Sequence, residues 1–321
     1  MPANVDSMMY YGKTPWHGVG RELEAPATAK EAIKAAGLNW SVESCPMFAK
    51  SECDTYYPVP DTYGIVRSDT KAVLGTVGRL YTPLQNEDAF SFFDSVIGEG
   101  QAVYHVAGSL GKGERIWALA KMPNSIRIKK TDDLVERYLL LVNAHDGSMS
   151  LKMFFTPIRV VCQNTLIAAL GAKKKNDGIS IRHFPDIHKK VGEAQRALGI
   201  ATKAYGELGE MFDLLAGRQV KKQWLNDYIE QVIPASGDEA SARIKCMRLD
   251  VGKLFESPSN TVKGIGGTAW AAYNAVTEYV DHFRVVPKIR QDNTKRLSSI
   301  WLGSGAAMKR RALEVAVKLA A

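Results

Sequence analysis

The most constraining feature of this 321-residue sequence is a β-hairpin signal near its middle. One apolar run covers Tyr138 to Ala144 and a second covers Met149 to Phe155, with Asp146-Gly147 between them. An Asp-Gly pair between apolar runs is a strong hairpin signal, because the turn needs residues that tolerate a positive φ. Alternation along the second run places Leu151 and Met153 on one face. The pattern predicts two antiparallel strands and a sheet around them.

Further strand patterns precede this hairpin. Tyr63 to Arg67 and Ala72 to Leu80 are two runs joined by a polar turn. Ala102 to Ala107 and Arg115 to Ala120 form another pair across a glycine-rich turn. A helix is predicted between the two pairs, from Asp88 to Val96, because its aromatic residues cluster on one face. This half of the chain is therefore predicted to be an antiparallel sheet of hairpins with helices.

The pattern changes from strand to helix after Phe154-Phe155. Thr156-Pro157 follows, and proline removes a backbone donor at that point. Apolar residues then recur at helical spacing up to Gly171. Arg159 is a cation embedded in this apolar segment, and two interpretations stay open for it. It pairs with a core carboxylate, or it contacts an anionic partner.

The second half of the chain is helical by pattern. A heptad-like apolar stripe runs from Val191 to Leu215, and glycines recur beside it at positions 192, 199 and 206. Such glycines predict a close backbone neighbour, either a helix of the same chain or a second subunit. Helical spacing continues through 219–256, with a break after Val232, and through 268–283.

These patterns together predict an α+β fold. Residues 1–171 are expected to form a core domain with an antiparallel β-hairpin sheet packed with helices. A basic linker is expected at 172–186, followed by a mostly helical C-terminal region at 187–321.

The charge of the chain favours an anionic partner. Its formal net charge is +8, from 42 Lys and Arg residues against 34 Asp and Glu residues. Nucleic acid is the first candidate for such a partner. Residues 288–311 add a local excess, because they carry seven cations, Lys309 among them, against one acid, Asp292.

Other features bear on location and cofactors. The four cysteines are scattered without a C-x-x-C pair, which is typical of reduced thiols and not of a disulfide frame or a zinc site. No apolar run approaches the roughly 18–20 residues of a membrane span, and no signal peptide is evident. We therefore expect a cytoplasmic protein with no membrane partner, no metal and no cofactor.

Signals for catalysis are weak. The nearest acidic group is Asp132, Asp133, Glu136 and Asp146, and His145 is a histidine adjacent to an aspartate. A strand entry and a turn explain these residues better than chemistry does, and His17 is better explained by packing beside Trp16. The glycine-rich stretches at 108–113 and 264–267 match neither a P-loop nor a dinucleotide fingerprint. We therefore predict no catalytic residue and no enzyme activity.

Several segments carry a family resemblance across nearly the whole chain. They are PWHGVG (15–20), FTPIRVVCQNTLIAAL (155–170), TAWAAYNAVTEYVDHFR (268–284) and LGSGAAMKRRALEV (302–315). The chain resembles the phage/plasmid-like family, defined by a domain of unknown function carried by phages, plasmids and bacterial genomes. The resemblance implies a mobile element in a bacterial cytoplasm and no accepted reaction.

A second resemblance is at the level of fold. Hairpins followed by a helix and a helical C-terminal part look like the single-strand annealing proteins of phage recombination (the RecT/Redβ/Rad-type group). Those proteins lack an ATP site, form rings or filaments and hold one DNA strand by its backbone in a positive groove. The analogy implies the same binding mode here.

We therefore predict an ATP-independent protein that binds and anneals single-stranded DNA as a homo-oligomer, in a ring or filament, with a possible phage nuclease or replication partner. The alternatives are an accessory protein that acts by protein–protein contacts and an enzyme of unknown reaction on nucleic acid. The candidate DNA contacts are the cations Lys112, Arg115, Lys152, Arg159, Lys173, Lys174 and Lys175, with Tyr104 and Trp117 as stacking rings.

Overall fold

The computed structural model describes residues 5–12, 20–97, 103–128, 131–159, 178–187, 189, 198–235, 241–284, 299–301 and 303–320. The described chain confirms the α+β class, with antiparallel sheets and a mostly helical C-terminal part. None of the helices in these ranges is long and apolar enough to cross a membrane.

The chain forms two compact units built from interleaved segments. Unit 1 comprises 1–122, 139–154 and 178–199, and unit 2 comprises 123–138, 155–177 and 200–321. This division differs from the predicted one, because the chain passes between the units several times. Sequence patterns report local periodicity and do not reveal such crossings.

The strands are β1 (Val5–Tyr11), β2 (Arg21–Leu23), β3 (Val42–Lys50), β4 (Tyr56–Arg67), β5 (Val73–Gly78), β6 (Val103–Leu110), β7 (Arg115–Lys121), β8 (Ile126–Arg127), β9 (Leu134–Glu136), β10 (Tyr138–Ala144), β11 (Leu151–Phe155), β12 (Ile158–Arg159) and β13 (Gly178–Ile181). The helices are α1 (Ala29–Ala35), α2 (Asn86–Ile97), α3 (Leu198–Gly217), α4 (Lys222–Val232), α5 (Ala242–Phe255), α6 (Ala269–Glu278) with a π-helical turn at Tyr279–Phe283, and α7 (Ser304–Ala320).

A seven-stranded sheet forms the centre of unit 1, in the order β13-β11-β10-β7-β6-β1-β2. The predicted hairpins β6–β7 and β10–β11 are both present as neighbours. Every residue of β10 is buried, as expected of an apolar strand in the middle of a sheet. At the β10–β11 turn Gly147 has a φ of +74°, and the Asp146 carboxylate accepts a hydrogen bond from the Ser148 amide at 2.9 Å. The predicted Asp-Gly turn is therefore confirmed.

A smaller sheet of unit 1 has the order β3-β4-β5. It packs against the β10–β11 turn at Gly75, where a Cβ atom would lie 2.6 Å from the Asp146 Cα atom. At the opposite end of this sheet β4 extends beyond β5, because β5 pairs only with residues Thr62 to Val66 of β4. Residues 48–50 and 56–58 therefore form a two-stranded ribbon, whose described pairings are with each other.

Unit 2 combines the small sheet β12-β9-β8 with the C-terminal helices. Its core centres on α6, where every residue from Ala269 to Thr277 is buried. The Trp270 ring lies 4.6 Å from the ring of Phe212 on α3, centroid to centroid. The predicted apolar stripe of α6 is confirmed except at its end, because Phe283 is 55% exposed.

Three local predictions need correction. Ile158 and Arg159 belong to a strand that pairs with β9, and the remainder of the predicted helix, from residue 160, lies outside the described residues. Part of the predicted linker is β13, which pairs with β11. At Gly206 a Cβ atom would have no described neighbour within 4 Å, so the predicted close backbone approach is absent there.

Candidate nucleic-acid interface

A groove of about 710 Å³ opens on unit 1, where segments distant in sequence meet. One is the turn after β5, another is the β10–β11 turn with the start of β11, and the last follows β13. We call this cavity the basic groove. The side chains that matter for its chemistry are the cations Arg79, Lys152 and Arg182 and the rings of Tyr81, His183 and Phe184.

Local backbone geometry presents the three cations. The Tyr81 amide donates to the Gly78 carbonyl at 3.0 Å, which closes a turn and exposes Arg79 at its tip. Lys152 alternates with buried neighbours on β11 and so points away from the core. Arg182 follows directly after β13 and is exposed.

The electrostatic character of the basic groove is positive. Asp61 is the carboxylate that lines it, against three cations. Across the described residues none of these cations forms an ion pair. A further cation, Arg115, donates to the Ser148 hydroxyl at 3.3 Å, and Ser148 lines the groove. The site can therefore bind an anion without first breaking an internal salt bridge.

Aromatic rings form one wall of the groove. The rings of Tyr81 and His183 are stacked, with centroids 4.8 Å apart and planes at 23°. The Tyr81 hydroxyl donates to the Ala144 carbonyl at 2.9 Å, which anchors the stacked pair to β10. Burial, and then the charge of Asp146, raise the pKa of Tyr81, so its hydroxyl stays a donor. The ring of Phe184 is 39% exposed beside this pair.

The cations predicted to contact DNA lie at different positions in the structure. Lys152 lies in the basic groove and Arg115 at its border. Lys112 is exposed at the β6–β7 turn, and its carbonyl accepts a hydrogen bond from Arg67 at 2.7 Å. Lys173, Lys174 and Lys175 lie outside the described residues.

The two predicted stacking rings are interior. Tyr104 and Trp117 are each 3% exposed. The Tyr104 hydroxyl donates to the Asp94 carboxylate at 2.7 Å, and its ring stacks on Phe90. Both rings pack on the sheet because aromatic side chains bury large apolar areas. Neither presents a face on which a base can stack, so we withdraw both as contacts.

Arg159 is also interior, and the ion-pair interpretation is the correct one. Its Nε atom donates to Oδ2 of Asp133 at 2.7 Å, with both side chains fully buried. Its other nitrogens donate to the Asn260 side chain and to the Ser259 carbonyl, each at 2.8 Å. We therefore withdraw Arg159 as a DNA contact. Lys309 is similar, because it is buried against Asp281 at 2.7 Å and is not part of a basic surface.

Two residues weighed for catalysis, His145 and Asp133, have structural roles, and His17 lies outside the described residues. Asn86 donates its amide nitrogen to the Leu38 and Trp40 carbonyls, so its oxygen accepts from His145 Nε2 at 2.9 Å. Burial, followed by the charges of His183 and Arg67, lowers the pKa of His145 to about 3. Asp133 binds Arg159. Among the described side chains no group of three His, Cys, Asp or Glu residues is placed to hold a metal ion.

Sequence reasoning missed most of the basic groove. The sequence pattern predicts a basic linker at Arg182, His183 and Phe184 and a strand at Arg79. The alternation of basic and aromatic residues in Arg182-His183-Phe184 is the signal that was available. No signal in the sequence indicates that the three separate chain segments that line the groove lie close together in the fold.

Comparison with known proteins identifies one family. A family profile described as "Domain of unknown function (DUF932)" matches residues 73–301. No curated protein and no solved structure matches the chain.

Proposed function

The chain belongs to the DUF932 family, whose function is unknown, and we propose that it is a non-catalytic protein that binds single-stranded DNA in the basic groove. The observation that carries the proposal is the convergence of Arg79, Lys152 and Arg182 beside the exposed ring of Phe184. Cations that neutralise phosphates give sequence-independent affinity, and each aromatic ring that stacks on a base adds about 1–3 kcal/mol.

The ring among the cations favours a single strand over a duplex. In a duplex the base faces are stacked on one another and hidden, so an exposed side-chain ring has nothing to stack on. In a single strand each base offers a free face to a ring such as Phe184. A duplex would therefore bind the groove through its phosphates alone, and more weakly.

The proposal extends beyond binding. The bound strand is paired with its complement without ATP, in recombination of a phage or plasmid within the host cytoplasm. A phage nuclease or replication protein supplies the strand. The protein acts as a ring or filament of identical subunits, which keeps a long strand extended over successive basic grooves.

The ribbon formed by residues 48–50 and 56–58 supports the self-association. Phe48, Tyr56 and Tyr57 are 55%, 63% and 57% exposed on it. A two-stranded ribbon is marginally stable alone, and clustered exposed rings are typical of a surface that another protein covers. Glu52 and Asp54 at its tip disfavour a polyanion there. The ribbon also favours the alternative function, an accessory protein that acts through contacts with other proteins.

The test of binding is fluorescence anisotropy with a labelled mixed-sequence oligonucleotide over a salt series, with duplex as competitor. We expect binding that weakens as the salt concentration rises. We also expect unlabelled single strand to displace the labelled oligonucleotide at a lower concentration than unlabelled duplex does. Absence of binding at about 50 mM salt, where phosphate contacts are strongest, would refute the proposal. Light scattering on a Tyr56→Ser/Tyr57→Ser variant tests the ribbon, and an unchanged oligomer would exclude it as the subunit contact.

The enzyme alternative has a separate test. Purified protein is incubated with DNA and divalent metal ions, and cleavage is followed on a gel. Cleavage that is lost in an Asp146→Ala variant, with the fold intact, would replace the binding proposal by a nuclease. We expect no cleavage.

A further inference from the structure

The imidazole of His183 is a polar group without a partner in the wall of the basic groove. Its side chain is 6% exposed, and neither ring nitrogen has a hydrogen-bond partner among the described residues. A buried donor or acceptor that stays unsatisfied costs free energy, so most such groups in proteins are paired. His183 is one of the residues that line the groove.

The ring is held in one place. It stacks on Tyr81, whose hydroxyl is bonded to the Ala144 carbonyl, and the His183 carbonyl accepts from the Thr82 amide at 3.0 Å. A ring fixed on both its face and its backbone loses little conformational freedom when it binds a ligand. The arrangement is that of a preorganised recognition group.

The chemistry of the ring differs from that of the cations around it. Burial lowers the pKa of His183, and the nearby backbone of Thr82 opposes this shift in part. The Thr82 backbone does not form a hydrogen bond with either ring nitrogen. A neutral imidazole presents one donor and one acceptor. Phosphate needs donors only, and Arg79, Lys152 and Arg182 supply them. The edge of a nucleobase carries both donors and acceptors, so one imidazole nitrogen can form a hydrogen bond with it as donor or as acceptor.

We propose that the basic groove seats one nucleobase of the bound strand, with His183 hydrogen-bonded to the edge of that base. The base packs on Phe184, while the neighbouring phosphates bind the cations. The inference rests on the proposed function and adds to it a base preference, which phosphate contacts alone do not give.

The experiment measures the affinities of the intact chain for labelled homopolymers of dA, dC and dT and for an abasic strand of equal length. Wild type is compared with His183→Phe, which keeps the stacked ring without its nitrogens, and with His183→Gln, which keeps a donor and an acceptor. Thermal melting establishes that both variants are folded.

We expect wild type to prefer one homopolymer by about fivefold, the value of one hydrogen bond. His183→Phe removes that preference and leaves the affinity for the abasic strand within about twofold, whereas His183→Gln retains part of the preference. Equal affinity of wild type for all homopolymers would overturn the base site while leaving strand binding intact. A His183→Phe loss that extends equally to the abasic strand would show a structural role and also overturn it. If wild type binds no strand at all, both proposals fail.

Discussion

Arg159 donates to Oδ2 of Asp133 at 2.7 Å, and the Trp270 indole donates to the same oxygen at 2.7 Å. Both members of the ion pair are fully buried. Asn260 extends the network, because its oxygen accepts from Arg159 while its nitrogen donates to the Glu278 carboxylate at 2.8 Å. Strand β12, the residue directly before strand β9 and helix α6 are thus joined by charge-assisted hydrogen bonds within unit 2.

Removing one member of this pair is expected to destabilise the protein without affecting DNA binding. Arg159→Met leaves the Asp133 carboxylate buried without its cation, which costs about 3–5 kcal/mol. Urea unfolding measures this loss. The matched control is Asp54→Asn, which breaks the exposed pair with Lys50 and is expected to change stability by less than about 0.5 kcal/mol. An Arg159→Met variant that is as stable as wild type and no longer binds DNA would contradict the structural role.

A second prediction concerns stability below neutral pH. The folded-state pKa of His145 is lowered to about 3 from an ordinary value of 6.5, so the unfolded chain binds a proton first as the pH falls. Stability is therefore full above pH 6.5 and decreases from there toward pH 3, by up to about 1.4 kcal/mol per pH unit for this group. His183, whose pKa is also lowered, adds to the decrease in the same direction.

His145→Gln isolates the contribution of that residue. Glutamine keeps an amide donor for the Asn86 oxygen and does not titrate. We expect its unfolding free energy, measured in urea at pH 7.5, 6 and 5, to fall less steeply with acid than that of wild type. Parallel curves for the two proteins would show that His145 is charged, or exposed, in the folded state.

Two glycines are expected to respond in opposite directions to the same substitution. A Cβ atom on Gly75 would lie 2.6 Å from the backbone of Asp146, so Gly75→Ala forces the smaller sheet away from the β10–β11 turn. Such overpacking costs about 1–3 kcal/mol. On α5, Gly252 has no described neighbour within 4 Å of a Cβ atom, so Gly252→Ala is expected to stabilise the protein by about 0.5–1 kcal/mol. The melting temperatures of both variants are compared with that of wild type. Equal changes in the two melting temperatures would disprove the packing argument.

The parts of the fold that the sequence predicts are those fixed by local periodicity. The β10–β11 hairpin follows from two apolar runs and an Asp-Gly turn, and the α6 stripe follows from a spacing of three and four. The sequence pattern does not predict β13, because its Ile179 and Ile181 are embedded in a polar segment and pair with β11, which lies more than 20 residues earlier in the chain. The carboxylate that pairs with Arg159 lies 26 residues before it, a distance that no local pattern encodes.

The candidate site was less predictable than the fold. A contact list drawn from charge and aromatic content contains Lys152, which lies in the basic groove, and also Tyr104 and Trp117, which are interior. Alternation on a strand says which residues share a face, but a strand covered on both faces buries all of them. The groove depends on three turns that tertiary packing brings together.

The last prediction concerns the number of phosphates bound in the basic groove. Three cations that each neutralise one phosphate of a single strand give a slope of about −2 for log K against log salt. Lys152→Gln is expected to make the slope shallower by about 0.7 and to weaken binding several-fold at low salt. Arg79→Gln and Arg182→Gln should act alike, and the triple variant should lose the salt dependence that the groove supplies. Lys30→Gln, an exposed charge on α1, is the control and should behave as wild type. If Lys152→Gln and Lys30→Gln share the wild-type slope, then the DNA binds another surface.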